Sequence, residues 1–382
     1  MNYNGIVFAG GNYIPDGLES RCKSNGWLYI DNLNSDTQEK VKAVLHQQPN
    51  IRVLSTSEIF MPFVRQNHQN EEFKRSLEVC VDKHRMREVL KEMFPAYRFD
   101  SVKLDNLCNL KWEGPKVLKT VRGFGSKFVK VLENPETFKT DIEAYVAEVK
   151  TSGADTNVWD TENILVEDFL PLTTEFAVDM FFNSKGKPQI LAIYNHLFAN
   201  DADLRDLLYY QSSDFMKQWL PKAQQFYAKL AEKVPMKNIA MHAEFREKDR
   251  QMIPLEFNPD RFIGCGCSTL TENFWNTSSF KIDLYELFFN DFDGEIPWDT
   301  LIKEKDGRTG ALILGWNPEM KPTLREPLHD KFLKQFYDCT IFSYGKIDQT
   351  KWPLFARVLL ETSDVRHLEK FQYFDQNYFF RP

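Results

Sequence analysis

Ile239-Ala240-Met241-His242-Ala243-Glu244-Phe245 and Met252-Ile253-Pro254-Leu255-Glu256-Phe257-Asn258-Pro259 are two apolar runs separated by the polar segment Glu247 to Arg250. This pattern predicts two strands paired across a short turn. Residues two apart on a strand share a face, so Glu256 and Asn258 point the same way. Pairing across the turn sets Glu244 beside Glu256. Two carboxylates and an amide oxygen then converge, and like charges this close are costly unless a cation joins them. Hard oxygen donors of this kind suit Mg²⁺, which keeps waters and takes phosphate oxygens as further ligands. Solvent-facing carboxylates on an edge hairpin are the alternative that these residues leave open.

Upstream, Ile164-Leu165-Val166 and Glu175 to Phe182 read as strands, joined through Glu167-Asp168-Phe169-Leu170. A strand ending this way can offer backbone groups to an adenine edge, with the Glu175 carboxylate available to ribose hydroxyls. An ordinary strand end before an acidic loop fits equally. Further upstream, Pro115 to Val121 and Lys127 to Leu132 flank Gly123-Phe124-Gly125-Ser126, a hairpin with a glycine tip. Lys119 and the tip's backbone N–H groups could meet a phosphate chain, although a Gly-x-Gly turn needs no ligand. A helix begins at Asp82, a good N-cap, and Met86, Val89, Leu90 and Met93 form its apolar face up to Pro95. Another helix is expected from Asn134-Pro135-Glu136 to about Lys150, and one from Lys222 to Val234.

Ile6 to Ala9, Trp27 to Ile30 and Ile51 to Leu54 alternate with helix-compatible stretches, as in a parallel sheet covered by helices. Gly10-Gly11 after the first run reads as a tight turn, with phosphate approach the weaker option. The final eighty or so residues show no assignable pattern. The chain has 382 residues, and 42% apolar residues supply a sizeable core. A net charge of −7 argues against affinity for nucleic acid through overall basicity. Mean hydropathy of −0.46 and the lack of a long apolar run argue against a membrane span. No secretory signal pattern opens the sequence, and six scattered cysteines make no disulfide framework, so a cytoplasmic location is expected. Cys265-Gly-Cys267 is too little for zinc, and the Asp201, Asp203, Asp206 run reads as a solvated surface.

Taken in order, these features resemble the ATP-grasp superfamily, over roughly Asp82 to Gly266. Asp82-Lys83 resembles the family's helix start, whose lysine approaches the α-phosphate. Pro115 to Lys119 resembles the strand whose last lysine contacts the nucleotide. Gly123, Gly125 and Ser126 fall in a stretch similar to its mobile glycine loop. Glu167, Asp168, Phe169 and Leu170 resemble the linker that reads adenine, and Glu175 the ribose carboxylate. Glu244 resembles the first magnesium carboxylate. Leu255-Glu256-Phe257-Asn258-Pro259 is similar to the E-x-N-P signature that holds two Mg²⁺. Three departures stand out. Asp260 replaces the usual arginine and Arg261 follows it. One extra residue separates Glu167 from Glu175. His242 stands where many members have arginine.

The resemblance implies an α/β chain with a Rossmann-like domain over residues 1–81 and the small lobe of the module over 82–170. The large lobe with its Mg²⁺ site would cover 171–300, and 301–382 would complete or cap it. The implied reaction is ADP-forming ligation of a small carboxylate to an amine through an acyl phosphate, with ATP and two Mg²⁺, Mn²⁺ being a substitute. Lys83 and Lys119 would steady phosphates, and His242 and Arg261 would meet the transferring phosphoryl group. No nucleic acid or membrane partner is expected, and a homodimer is compatible with the family. A kinase that keeps phosphate in its product, and a nucleotide-binding module without turnover, are the alternatives.

Overall fold

A computed structural model describes all residues except 1, 11–13, 16, 110–112, 124–125, 172–173, 199–206, 265, 317–331, 348–353, 367 and 369–382. The chain opens with β1 (Gly5–Phe8), α1 (Leu18–Asn25), β2 (Trp27–Ile30), α2 (Ser35–Gln47) and β3 (Val53–Ser55). The three strands form a parallel sheet in the order β2-β1-β3. Gly10 lies against the Phe60 ring, where a Cβ would come within 2.5 Å. Its N–H donates to Thr56 Oγ1 at 2.8 Å, so at this glycine close packing explains the absence of a side chain.

Three helices follow: α3 (Met61–Asn67), α4 (Glu71–Val81) and α5 (Lys83–Leu90). The Asp82 side chain caps α5 by accepting from the Arg85 N–H, and Met86 and Leu90 are buried. The next unit holds β4 (Phe99–Lys103), β5 (Lys116–Thr120), β6 (Lys130–Leu132), α6 (Phe138–Thr151) and β7 (Asn163–Asp168). Its antiparallel sheet runs β4-β7-β5-β6 over a separate small core that includes Leu118, Leu132, Tyr145 and Ile164.

The largest sheet begins with β8 (Glu175–Phe182), β9 (Pro188–His196) and β10 (Leu208–Ser212). After α7 (Ser213–Lys233) come β11 (Ile239–Lys248) and β12 (Gln251–Pro259). The chain then forms α8 (Cys267–Phe274), α9 (Leu284–Phe289), α10 (Trp298–Glu304), β13 (Thr309–Trp316), β14 (Thr340–Lys346) and β15 (Leu354–Thr362). The eight strands lie in the order β12-β11-β8-β9-β10-β13-β15-β14. The unassigned C-terminal stretch therefore contributes three strands to this sheet.

Several expectations need correction. Helix α5 ends at Leu90 rather than at Pro95, and strand β6 begins at Lys130 rather than at Lys127. Helix α7 does not start after Pro221 but runs through it from Ser213. Met216, Trp219, Leu220, Ala223, Phe226, Tyr227 and Leu230 form one buried stripe. Pro221 is on the exposed side, where the missing N–H costs less than breaking that stripe would. Helix α6 starts at Phe138, later than Asn134-Pro135-Glu136, where turn bonds such as Glu136 N–H to Asn134 Oδ1 (3.0 Å) hold the chain.

Candidate active site

The turn between β11 and β12 is two residues long. Asp249 and Arg250 both take positive φ, 52° and 62°, the conformation that matches strand twist in a tight hairpin. Counting back from it, Glu244 is paired with Glu256 and His242 with Asn258. A bulge intervenes: Phe245 pairs with Pro254, which leaves Leu255 extra on β12. Without the bulge, a one-residue slip would send Glu256 and Asn258 to the opposite face.

Asn258 Nδ2 donates to Glu256 Oε1 at 3.2 Å. Lys83 Nζ lies 3.2 Å from Glu256 Oε2 and donates to the Gly123 carbonyl at 2.6 Å. Burial would raise the Glu256 carboxyl, but Lys83, Lys119 and Asn258 hold it down at about 2. Burial pushes Glu244 up, and the charge of Glu256 adds to it. A third of the Glu244 side chain is open to solvent (33%), which weakens both effects. Among the described residues no three His, Cys, Asp or Glu side chains gather as metal ligands. The donor set is two carboxylates and one amide. That incomplete oxygen set fits Mg²⁺, whose remaining ligands come from water and phosphate.

His242 takes a different place from the expected phosphate contact. It is buried, with Nδ1 at 2.8 Å from Asp179 Oδ1 and Nε2 at 3.5 Å from Glu244 Oε1. Burial lowers its basicity, but the two carboxylates outweigh burial and raise it to about 9. Asp179 is fully buried and also accepts from the Ile263 N–H and the Tyr194 hydroxyl. Both ring nitrogens are thus engaged, and the imidazolium orients Glu244.

Arg261 also differs from expectation. Asp260 takes φ 51°, and its carbonyl accepts from the Ser55 N–H at 2.6 Å. This turn swings Arg261 onto the end of β3, where its Nη2 lies 2.8 Å from Glu58 Oε1. The Asp260 carboxyl is buried, finds no hydrogen-bond partner among the described residues, and is pushed well up by burial. Arg261 is therefore tied to the N-terminal unit, close enough to the Glu244–Glu256 pair to feel its charge.

Lys119 belongs to a buried triad that the sequence did not reveal. Glu167 pairs with Lys119 and accepts from Arg87 Nε at 2.8 Å. Arg87, from α5, also donates to the Pro254 and Leu255 carbonyls at 2.6 and 3.2 Å. Lys119 Nζ donates to the same Leu255 carbonyl at 3.3 Å. The bulge thus turns adjacent carbonyls toward both cations. Burial would raise Glu167, yet Arg87 and Lys119 hold it at about 2. Lys119 lies below its ordinary value, because burial and the charges of Arg87 and Lys83 outweigh Glu167. One carboxylate against two cations leaves the triad net positive.

The linker is partly occupied. The N–H groups of Asp168 and Phe169 donate to the Arg98 and Pro115 carbonyls. Asp168 pairs with Lys116 and Arg98, and Leu170 is buried against Tyr97 and Ile253. Glu175 accepts from Arg246 Nε at 2.7 Å and lies 3.6 Å from His196 Nδ1. Burial raises it, but His196 and Arg246 bring it below its ordinary value. Arg246 also donates to the Leu170 carbonyl at 2.6 Å, joining the linker to Glu175. In the glycine tip, Gly123 has φ 137° and Ser126 has φ 54°. Phe124 and Gly125 lie outside the described residues, as do Cys265 and the Asp201 to Asp206 run.

A cleft opens beside the carboxylates. Lys83, Gly123 and Asn258 form the end next to them, and Met61, Pro62 and Val81 line the N-terminal side. Arg122, Arg65 and Glu58 also line it. None of the three was singled out from sequence. Only Arg122, next to the glycine tip, had a local signal that could have found it.

A small antiparallel sheet and a large one, meeting at paired carboxylates, define the two-lobed ATP-grasp class of fold. Residues 112–269 match the family model of the ATP-grasp domain, and the chain carries that domain in an α/β fold. The chain is similar in structure to an L-amino acid ligase from Bacillus licheniformis: TM-score 0.63, 15% identity, 98% of this chain and 97% of that one. It is also similar to N5-carboxyaminoimidazole synthetase from Staphylococcus aureus complexed with ADP: 0.63, 11%, 98% and 97%. A third is phosphoribosylglycinamide synthetase from Anaerococcus prevotii: 0.54, 14%, 96% and 96%. A search of curated proteins finds no match. Among the described residues no helix is long and apolar enough to cross a membrane.

Proposed function

We propose that this protein is an ADP-forming ligase that joins a small carboxylate to an amine. The observation that carries this is the opposed pair Glu244–Glu256 with Asn258, bordered by Lys83 and opening into a small-molecule cleft. Glu244, Glu256 and Asn258 would hold Mg²⁺, for which Mn²⁺ could substitute. Bound there, the metal neutralises phosphate charge and orients the transferring group. Lys83 and the net-positive triad around Lys119 add cationic charge for the phosphate chain of ATP. The adenine end is assigned to the linker Glu167 to Leu170, the ribose to Glu175, and cover for the phosphates to Gly123 through Ser126. Arg246 positions the linker and Glu175, as His242 positions Glu244.

The chemistry has two displacements. A carboxylate oxygen attacks the γ-phosphorus, the bond from that phosphorus to the bridging oxygen breaks, and ADP leaves. The amine nitrogen then attacks the acyl carbon, the acyl C–O bond breaks, phosphate leaves, and the nitrogen's proton passes to solvent. Catalysis here is positioning and charge neutralisation. The division into 1–81, 82–170, 171–300 and 301–382 belongs to the same proposal. So do the cytoplasmic location, small-molecule partners only and a homodimer as an allowed state. The L-amino acid ligase among the similar structures supports the carboxylate–amine class.

The test is product analysis with MgATP, pooled carboxylates and amines. Pool-dependent ADP and free phosphate are expected, and E256Q should abolish them. AMP would sink the proposal. ADP without free phosphate would point to a kinase. An E256Q protein that loses only Mg²⁺-dependent nucleotide affinity, from a wild type without turnover, would point to a binding module.

A further inference from the structure

The cleft adjoins the proposed nucleotide machinery at one end. It shares Lys83, Gly123 and Asn258 with that machinery, but neither the linker Glu167 to Leu170 nor Glu175 lines it. Its remaining lining is apolar at Met61, Pro62, Val81, Val158 and Pro259 and polar at Asn157, Glu58 and Arg65, the last two being paired with Arg261 and Glu78. Arg122 projects from the base of the glycine tip into this setting. Its Nη2 is ion-paired with Asp160 Oδ2 at 3.6 Å, without a hydrogen bond. Asp160 is already engaged, because its Oδ1 accepts from the Glu162 and Asn163 N–H groups at 3.0 and 2.9 Å. Asp160 N–H in turn donates to the Arg122 carbonyl at 3.2 Å, which fixes the arginine's backbone. The Arg122 Nε–H is buried and has no hydrogen-bond partner among the described residues. An unsatisfied buried donor is costly and calls for an acceptor. Arg261, the cation expected here from sequence, is paired with Glu58.

Resting on the ligase assignment above, we propose that Arg122 is the specificity residue of the acceptor site. Its guanidinium receives the carboxylate to be activated, and the apolar walls select an acid with a short apolar body over a phosphorylated or polyhydroxylated one. A guanidinium binds a carboxylate through a fixed fork of donors. Held by it, one carboxylate oxygen is aligned at the Asn258 end of the cleft, where the γ-phosphoryl group is expected.

The experiment uses the full chain with MgATP and hydroxylamine. Hydroxylamine attacks the acyl carbon of an acyl phosphate, displaces phosphate and leaves a hydroxamate, so no native amine is needed. The acids compared are butanoate, leucine and methionine against gluconate and 3-phosphoglycerate. Wild type should form hydroxamate with the first three in preference. R122Q should raise KM for the acid at least ~10-fold while KM for ATP stays within about 2-fold, the effect of losing one charge-assisted pair. R122K, with charge but no fork, should fall between. M61W, which fills the wall, should raise KM for leucine more than for glycine. MgADP affinity and melting temperature of each variant show that it has folded. Calorimetry of leucine binding to the protein with Mg²⁺ and a non-hydrolysable ATP analogue should show the same loss in R122Q. Equal effects of R122Q on both KM values would overturn the proposal, since Arg122 would then serve the phosphates. An unchanged acid KM, or preference for the phosphorylated acid, would overturn it too. If wild type binds MgATP but makes no hydroxamate from any acid, the ligase assignment itself falls and takes this proposal with it.

Discussion

Replacing Glu167 with glutamine removes one charge and almost no volume, from a site that is only 2% exposed. Arg87 and Lys119 would then be two buried cations without their anion. The magnitude can be worked from proton linkage. The Glu167 carboxyl is ordinarily near 4.5 and is held at about 2 in the fold, where Arg87 and Lys119 overcome burial. That difference is about 3 kcal/mol of folding stability at neutral pH. Removal of one partner from a buried ion pair costs roughly 3–5 kcal/mol, in agreement. For a chain of 382 residues, the melting temperature should fall by roughly 4–6 °C. The sign with pH follows from the lowered value. The contribution is complete above about pH 4.5 and disappears as pH falls through about 2. By pH 3.5 roughly half should be gone, so the gap between wild type and E167Q should narrow in acid. Paired thermal and urea denaturation at pH 7 and pH 3.5 measures it. A variant melting within about 2 °C of wild type, or a gap constant with pH, would refute the reasoning.

Three further predictions concern other parts of the chain. His68 is buried, accepts the Asn70 N–H on Nδ1, and is pulled down to about 4 by burial. The unfolded chain takes up a proton below about pH 6.5 and the folded one does not, so stability should fall by up to about 3 kcal/mol between pH 6.5 and 4. H68Q should flatten that slope in pH-dependent denaturation. At Gly123 a Cβ would lie 2.3 Å from Trp159 Cδ1 on a backbone with φ 137°. G123A should therefore cost roughly 1–3 kcal/mol. It should also raise KM for ATP, because the Gly123 carbonyl anchors Lys83. Unchanged melting and KM would count against that placement. D249N/R250G gives the β11–β12 turn the residues its positive φ values favour, and should gain up to about 1 kcal/mol in urea denaturation.

The hairpin that carries the carboxylates was legible because its information is local. A two-residue period, a polar turn and the spacing of Glu256 and Asn258 need only neighbouring residues. The capped start of α5 was legible for the same reason. Helix α7 was cut at Pro221 because local preference reports the missing N–H and not the buried stripe that carries the helix across it. Strands β13 to β15 stayed hidden because what holds them is pairing with one another and with β10.

The sequence by itself determined which oxygen donors share a face. Tertiary structure decided what those residues touch. His242 meets Asp179, sixty-three positions away in the chain. Arg87 reaches both Glu167 and the carbonyls exposed by the bulge. Arg261 is drawn to Glu58 by the left-handed turn at Asp260. Buried charges take whatever counter-charge the packing brings within a few ångströms, because leaving them unpaired costs several kcal/mol. That choice is made between elements distant in sequence, where composition and spacing carry no signal.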